Sequence, residues 1–267
     1  MKDVGWTKWI VIWTIGSESY RHWLETFFQR KGTPVPRKPQ TSGEVVINKP
    51  LATAAVATLL VVATIPIANA QATQAISGYA MGQKSLAKAP FTLADLESLK
   101  RTLLFTDEDI RYLRMSKAIL ADQQEAILDV WYGFVASTPE LVVYFKNNKT
   151  GAPDGAYLGA VRKRFGQWIA DTADANYDQA WLDYQYEIGL RHNTPKKNKT
   201  DQVDSVPLVN FRYLSALTIP VTTTLKPFLA KKGASAADVE KMHAAWVKSV
   251  LMQSILWSYP YIKDGQF

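Results

Sequence analysis

One histidine in this chain stands where a leucine would be expected. On a helix through Tyr177–Asn193, the residues Trp181, Tyr184, Ile188 and His192 fall at offsets 0, 3, 7 and 11, so His192 continues an apolar stripe toward the interior. A neutral imidazole there has two roles open to it. It can bond a backbone carbonyl as an ordinary core residue, or it can give a nitrogen lone pair to a buried iron as a single axial ligand. The other two histidines offer less: His22 lies far from this stretch, and His243 sits beside charged Glu240 and Lys241, which predicts a surface position. There is no His-x-x-x-His pair and no Gly-x-Ser-x-Gly elbow, which argues against a zinc site and against hydrolase chemistry. The absence of cysteine excludes disulfides, thiolate-bound zinc, iron–sulfur clusters and covalent c-type haem attachment.

The bulk composition fits a buried site. Hydrophobic residues make up 47% of the 267 positions and aromatic ones 12%, enough for a sizeable core. The net charge of +7 is spread among acids rather than gathered in one basic run, so nucleic acid is not an expected partner. The densest basic cluster, Lys196, Lys197 and Lys199, follows the His192 helix and reads as a solvated loop, with an anion site as the alternative.

The elements that must position His192 begin after a leader. Residues 1–50 combine a short aromatic run with a Pro- and Lys-bearing linker. Leu51–Ala70 then runs twenty residues without a charge after Lys49 and ends in Ala68-Asn69-Ala70. A basic flank, an apolar stretch and a small-x-small ending mark a secretory signal, although that length would also just span a bilayer. Membrane tethering or export is therefore one expectation for this protein. The domain itself is expected over 71–267.

From Ile76 onward the periodicity is helical. Thr92–Asp95 and Thr106–Asp109 have the pattern of capping boxes, in which a hydroxyl and a carboxylate satisfy free N–H groups of a first turn. A long helix is predicted over Asp107–Ser137, with a short one restarting at Pro139. Asp154 is placed to cap a helix carrying Tyr157, Val161, Arg164, Phe165 and Trp168. Ser205 is placed to cap a run through Val206, Val209, Tyr213, Leu217 and Val221, bent by Pro220. Ser235–Asp238 opens the last helix, which is apolar on two sides and so either central or at a subunit interface. No period-two strands, phosphate loop or internal repeat occur, and the expected class is all-α.

Several stretches closely resemble the protoglobins: WYGFV at Trp131–Val135, YLGAVRKRFGQWI at Tyr157–Ile169, YDQAWLDYQYEIGLRH at Tyr177–His192, KPFLAKKG at Lys226–Gly233 and LWSYPYIKDGQF at Leu256–Phe267. The resemblance implies a globin-like helical sandwich with an extra N-terminal helix, a deeply buried haem b and a homodimer through the last two long helices. It also implies roles for single residues. His192 is similar to the proximal iron ligand, Tyr132 to a distal tyrosine that can donate to bound dioxygen, Trp131 to a distal gate and Phe165 to the phenylalanine crowding the sixth position. Arg164 becomes a candidate for a haem propionate, since a guanidinium binds carboxylates bidentately. Leu217 falls where the family pattern has phenylalanine, which predicts a wider pocket.

The function so implied is reversible binding of dioxygen, carbon monoxide or nitric oxide, for sensing or scavenging, in the cytoplasm if the family resemblance prevails. A haem enzyme acting on nitric oxide, nitrite or peroxide is the alternative. It would need a separate reductase, as a sensor would need a separate signalling partner. A haem-free helical interaction module is a third expectation, and it requires the apolar face around His192 to be closed by side chains.

Overall fold

The computed structural model describes residues 75–267 apart from 264 and 266, and the leader and the Leu51–Ala70 segment lie outside them. Among the described residues the chain is helical, with a single isolated bridge between Lys146 and Pro153. The helices are α1 (Leu93–Thr102), α2 (Asp107–Leu120), α3 (Gln124–Ala136), α4 (Pro139–Val142), α5 (Gly155–Asp174), α6 (Gln179–His192), α7 (Phe211–Ala216), α8 (Thr218–Leu229) and α9 (Ala236–Trp257).

Their starts follow from local chemistry. At α1 the Thr92 hydroxyl accepts from the Asp95 amide at 3.2 Å and the Asp95 carboxylate accepts from the Thr92 amide at 2.7 Å. The Thr106 amide likewise donates to Asp109 at 2.7 Å, Asp154 accepts from the Ala156 and Tyr157 amides, and Ser235 accepts from the Asp238 amide. Asp178 caps α6 by accepting from the Trp181 amide at 2.8 Å. Residues 75–91 are turns rather than helix, with Gly78 and Gly82 at positive φ.

Two predicted helices are divided. The long helix over Asp107–Ser137 breaks between Leu120 and Gln124, where the Gln123 side chain donates to the carbonyls of Ile119 and Phe228 and so ties the break to the end of α8. Ser205 caps nothing; its hydroxyl donates to the Tyr144 carbonyl, Pro207 disfavours helix at Val206 before it, and α7 starts only at Phe211. The expected bend at Pro220 is a break at Leu217. Pro220 has no N–H for the carbonyl four residues back, that of Ala216, and a proline ring is not accommodated against such a carbonyl in a continuous helix; α7 ends at Ala216.

Helix α9 is central, packing on α2, α6, α7 and α8. Trp246, Met242 and Ala245 are fully buried on it, and the Trp246 indole N–H is satisfied by Ser116 at 2.9 Å on α2. The C-terminal end of α9 meets α6 closely: a Cβ on Gly189 would lie 2.8 Å from the Trp257 carbonyl oxygen and 3.3 Å from the Pro260 ring. Gly189→Ala should therefore force the two helices apart and destabilise the fold by about 1–3 kcal/mol. Denaturant unfolding checks this, and an unchanged midpoint would remove the close approach as a constraint.

Candidate functional site

Helices α3, α5, α6, α7, α8 and α9 surround a largely apolar cavity of about 270 Å³. His192, Trp131, Tyr132, Phe165, Arg164 and Leu217 all line it. The helical stripe on α6 explains how His192 arrives there. Tyr184, Ile188 and His192 face the cavity, while Trp181, one step further back, is buried in the core beside Phe91 and Leu182.

The imidazole is held from two sides. Its Nδ1 lies 2.8 Å from the Ile188 carbonyl, and because a carbonyl oxygen only accepts, Nδ1 carries the proton. The Trp257 ring stacks on it almost parallel, with centroids 5.7 Å apart and planes 8° from parallel, and the indole N–H is anchored on Gln185 at 2.8 Å. Burial, reinforced by the charges of Lys197 and Arg191, holds the imidazole below its ordinary pKa. It is neutral, and Nε2 is left with a lone pair and no hydrogen bond among the described residues.

Tyr132 is buried on α3, and burial keeps its phenol protonated far above the usual range. Its hydroxyl has no hydrogen-bond partner among the described residues. Phe165 stands between Trp131 (5.7 Å), Tyr132 (6.4 Å) and Trp168 (5.1 Å). Arg164 forks onto Asp201, with Nη1 at 3.0 Å and Nη2 at 2.6 Å, and Nη1 also donates to the Ser77 carbonyl. Its bidentate capacity is thus taken by a carboxylate of the chain itself. Leu217 occupies the break between α7 and α8.

Two expectations need correcting. Lys197 is not solvated but only 6% exposed, lining the cavity and donating to the Tyr157 hydroxyl at 2.8 Å, the Tyr144 carbonyl at 3.2 Å and the Asn198 side chain at 3.3 Å. The turn after α6 folds it back, its amide bonded to the Asn193 carbonyl. His243 is half-buried rather than on the surface, with Nε2 buried and unpartnered among the described residues. Glu240-x-x-His243 is a Glu-x-x-His spacing, yet no group of three His, Cys, Asp or Glu suited to a metal ion occurs among the described residues. Trp257, Tyr157 and Lys197 are further site residues: periodicity puts Tyr157 and Trp257 on apolar helix faces without assigning them to the site, and Lys197 carries no periodic signal.

One neutral nitrogen lone pair, one free O–H donor and apolar aromatic walls on a single cavity are what a flat iron-bearing group with one protein ligand requires. The residues present fit a haem.

Residues 92–267 match the family model described as Protoglobin. Among solved structures, the globin domain of the Geobacter sulfurreducens globin-coupled sensor is similar, with a TM-score of 0.49 and 16% identity, covering 62% of this chain and 97% of that one. No curated protein matches.

Lys197 gives the apo protein a pH signature. Burial pushes its ammonium down to about 8, with Asp201 pulling the other way. A folded pKa below the unfolded one means that the burden of the buried charge is fully present below about pH 8 and fades as pH rises toward about 10.4. Unfolding free energy of wild type minus that of Lys197→Met should rise across that window, by less than about 1.4 kcal/mol per pH unit. A flat difference would show that Lys197 titrates as an exposed lysine.

Proposed function

This chain belongs to the protoglobin family and has its all-α, globin-like fold, and from that premise we propose that it binds haem b through His192 and takes up dioxygen, carbon monoxide or nitric oxide reversibly. The observation that carries the proposal is that one largely apolar cavity is lined by both an imidazole Nε2 and a Tyr132 hydroxyl that have no hydrogen-bond partner among the described residues. Bound haem supplies an iron with an open coordination position for a diatomic gas.

The chain's own residues do the rest. The Ile188 carbonyl keeps the proton on Nδ1, so Nε2 is the ligating atom, and this hydrogen bond makes the imidazole a better donor to the metal. Trp257 fixes the ring plane. Tyr132 offers its O–H to a polarised ligand; such a bond is worth about 1–2 kcal/mol, or roughly tenfold, in favour of dioxygen over the poor acceptor carbon monoxide. Trp131 and Phe165 exclude water and restrict access on that side. With no cysteine, the group is held without covalent attachment.

A haem-free interaction module needs the face around His192 closed by side chains, and the cavity there speaks against it. The resemblance implies a homodimer through the last two long helices, α8 and α9, and exposed Ile219 on α8 would lie in such an interface. No single helix among the described residues is long and apolar enough to cross a membrane; the one bent pair that passes by length and composition, Gln124–Ala136 with Pro139–Phe145, contributes Tyr132, Val135 and Leu141 to the cavity wall. A tether or cleaved signal would have to reside in Leu51–Ala70, with residues 1–50 before it and the haem domain over 71–267.

His192→Ala should abolish haem retention, read as loss of the Soret band and of its shift with carbon monoxide. Tyr132→Phe should keep the haem and raise the dioxygen off-rate roughly tenfold; unchanged release would remove Tyr132 from that role. Light scattering at twice the chain mass and a mature N-terminus at Gln71 are the outcomes expected for the dimer and for a cleaved leader. A monomer, or an intact N-terminus on exported protein, contradicts them respectively.

A further inference from the structure

The charged residues lining the cavity are Arg164, Arg191, Lys197 and Asp201. Arg164 is matched by Asp201, and Arg191 by Glu187 at 2.9 Å. Lys196, next in the chain, also reaches Glu187. Lys197 alone among these cations is bonded only to neutral acceptors, and it is the most deeply buried of them. Its three N–H groups are satisfied as donors, but it makes no ion pair: the carboxylate that acts on its charge, Asp201, is already forked by Arg164. Two of its bonds, at 3.2 and 3.3 Å, are longer than the roughly 2.7–2.9 Å usual for an ammonium facing a carboxylate, and are therefore the ones an anion would replace.

A buried cation that has no ion pair of its own is unfavourable unless an anion completes the site. The remainder of the cavity wall is largely apolar and aromatic, so the anion it fits is a carboxylate carried on a large hydrophobic body. Resting on the haem reading above, we propose that Lys197 is the anchor for a carboxylate of the prosthetic group, a role the sequence assigns to Arg164. His192 then holds the iron and Lys197 an acid side chain of the macrocycle. Both come from one short segment, the end of α6 and the turn after it, so their relative placement is set by the Asn193 carbonyl that receives the Lys197 amide. The Tyr157 hydroxyl, held by Lys197 at 2.8 Å, steadies the ammonium from α5.

The test separates the carboxylates from the iron. The full-length apo protein is titrated with iron protoporphyrin IX and with its dimethyl ester, followed by Soret absorbance, and with metal-free protoporphyrin IX and its dimethyl ester, followed by fluorescence. Wild type should prefer each diacid over its diester by about tenfold or more. Lys197→Met and Lys197→Gln should erase most of that preference, Lys197→Arg should retain it, and Arg164→Gln should leave it in place. His192→Ala should weaken binding of the iron form while the preference measured with the metal-free pair persists. A wild type without preference overturns the assignment, as does a preference that survives in Lys197→Met or disappears in Arg164→Gln. The ratio in wild type and in Lys197→Arg decides the matter even if the Met and Gln variants do not fold. Failure of every porphyrin to bind wild type would overturn the haem reading as well, whereas a colour change with iron protoporphyrin but no diacid preference removes Lys197 only.

Discussion

The hydrogen bond from His192 Nδ1 to the Ile188 carbonyl is the constraint on which the site depends. It selects the tautomer, and with it the nitrogen that faces the cavity. Without that bond a buried imidazole could present either N–H or lone pair, and the site would not be defined as donor or acceptor. The Trp257 stack adds orientation, and this contact exists only because Gly189 lets the ends of α6 and α9 approach to backbone distance. A glycine three residues before the histidine is therefore as much a part of the site as the aromatic ring above it.

The cavity is notable for what it leaves unmatched. Most buried polar groups here are satisfied within the chain: Trp246 by Ser116, Trp168 by Gln253, Arg164 by Asp201. On the cavity wall, among the described residues, the His192 Nε2 lone pair, the Tyr132 hydroxyl and the Thr218 hydroxyl have no hydrogen-bond partner, and the Lys197 ammonium is bonded only to neutral acceptors. Each is costly to bury alone. Their gathering on one cavity, rather than any one of them alone, is what the proposed haem site rests on.

Much of the fold was legible because helix starts are local. Thr92, Thr106, Asp154 and Ser235 each cap the helix their short-range pattern predicts. The breaks were less legible because they are settled by distant partners. Gln123 ends α2 by reaching the Phe228 carbonyl, and no periodicity within Asp107–Ser137 reports that. The same holds in the site. His192 was readable from its stripe, since a helix repeats every 3.6 residues. Lys197 was hidden in a cluster whose composition is that of a solvated loop, and its burial comes from Tyr144 and Tyr157, which lie 53 and 40 positions away. His243 looked exposed because its sequence neighbours are charged, although α9 turns it toward α8, where it faces Thr222.

Leu217 shows how a backbone rule and a pocket dimension are linked. The Pro220 ring ends α7 at Ala216, and this places residue 217 at the break, on the cavity wall, whatever its side chain. The position is therefore set by proline geometry, while the space there is set by the residue chosen. A leucine fills less of it than the phenylalanine expected from the resemblance, and Thr218, Val221 and Val250 also line the cavity. Trp131 and Phe165 pack edge-to-face on the α3–α5 side of the same cavity. The residue at the α7–α8 break and this aromatic pair are thus supplied by different helices, one placed by proline geometry and the other by ring packing.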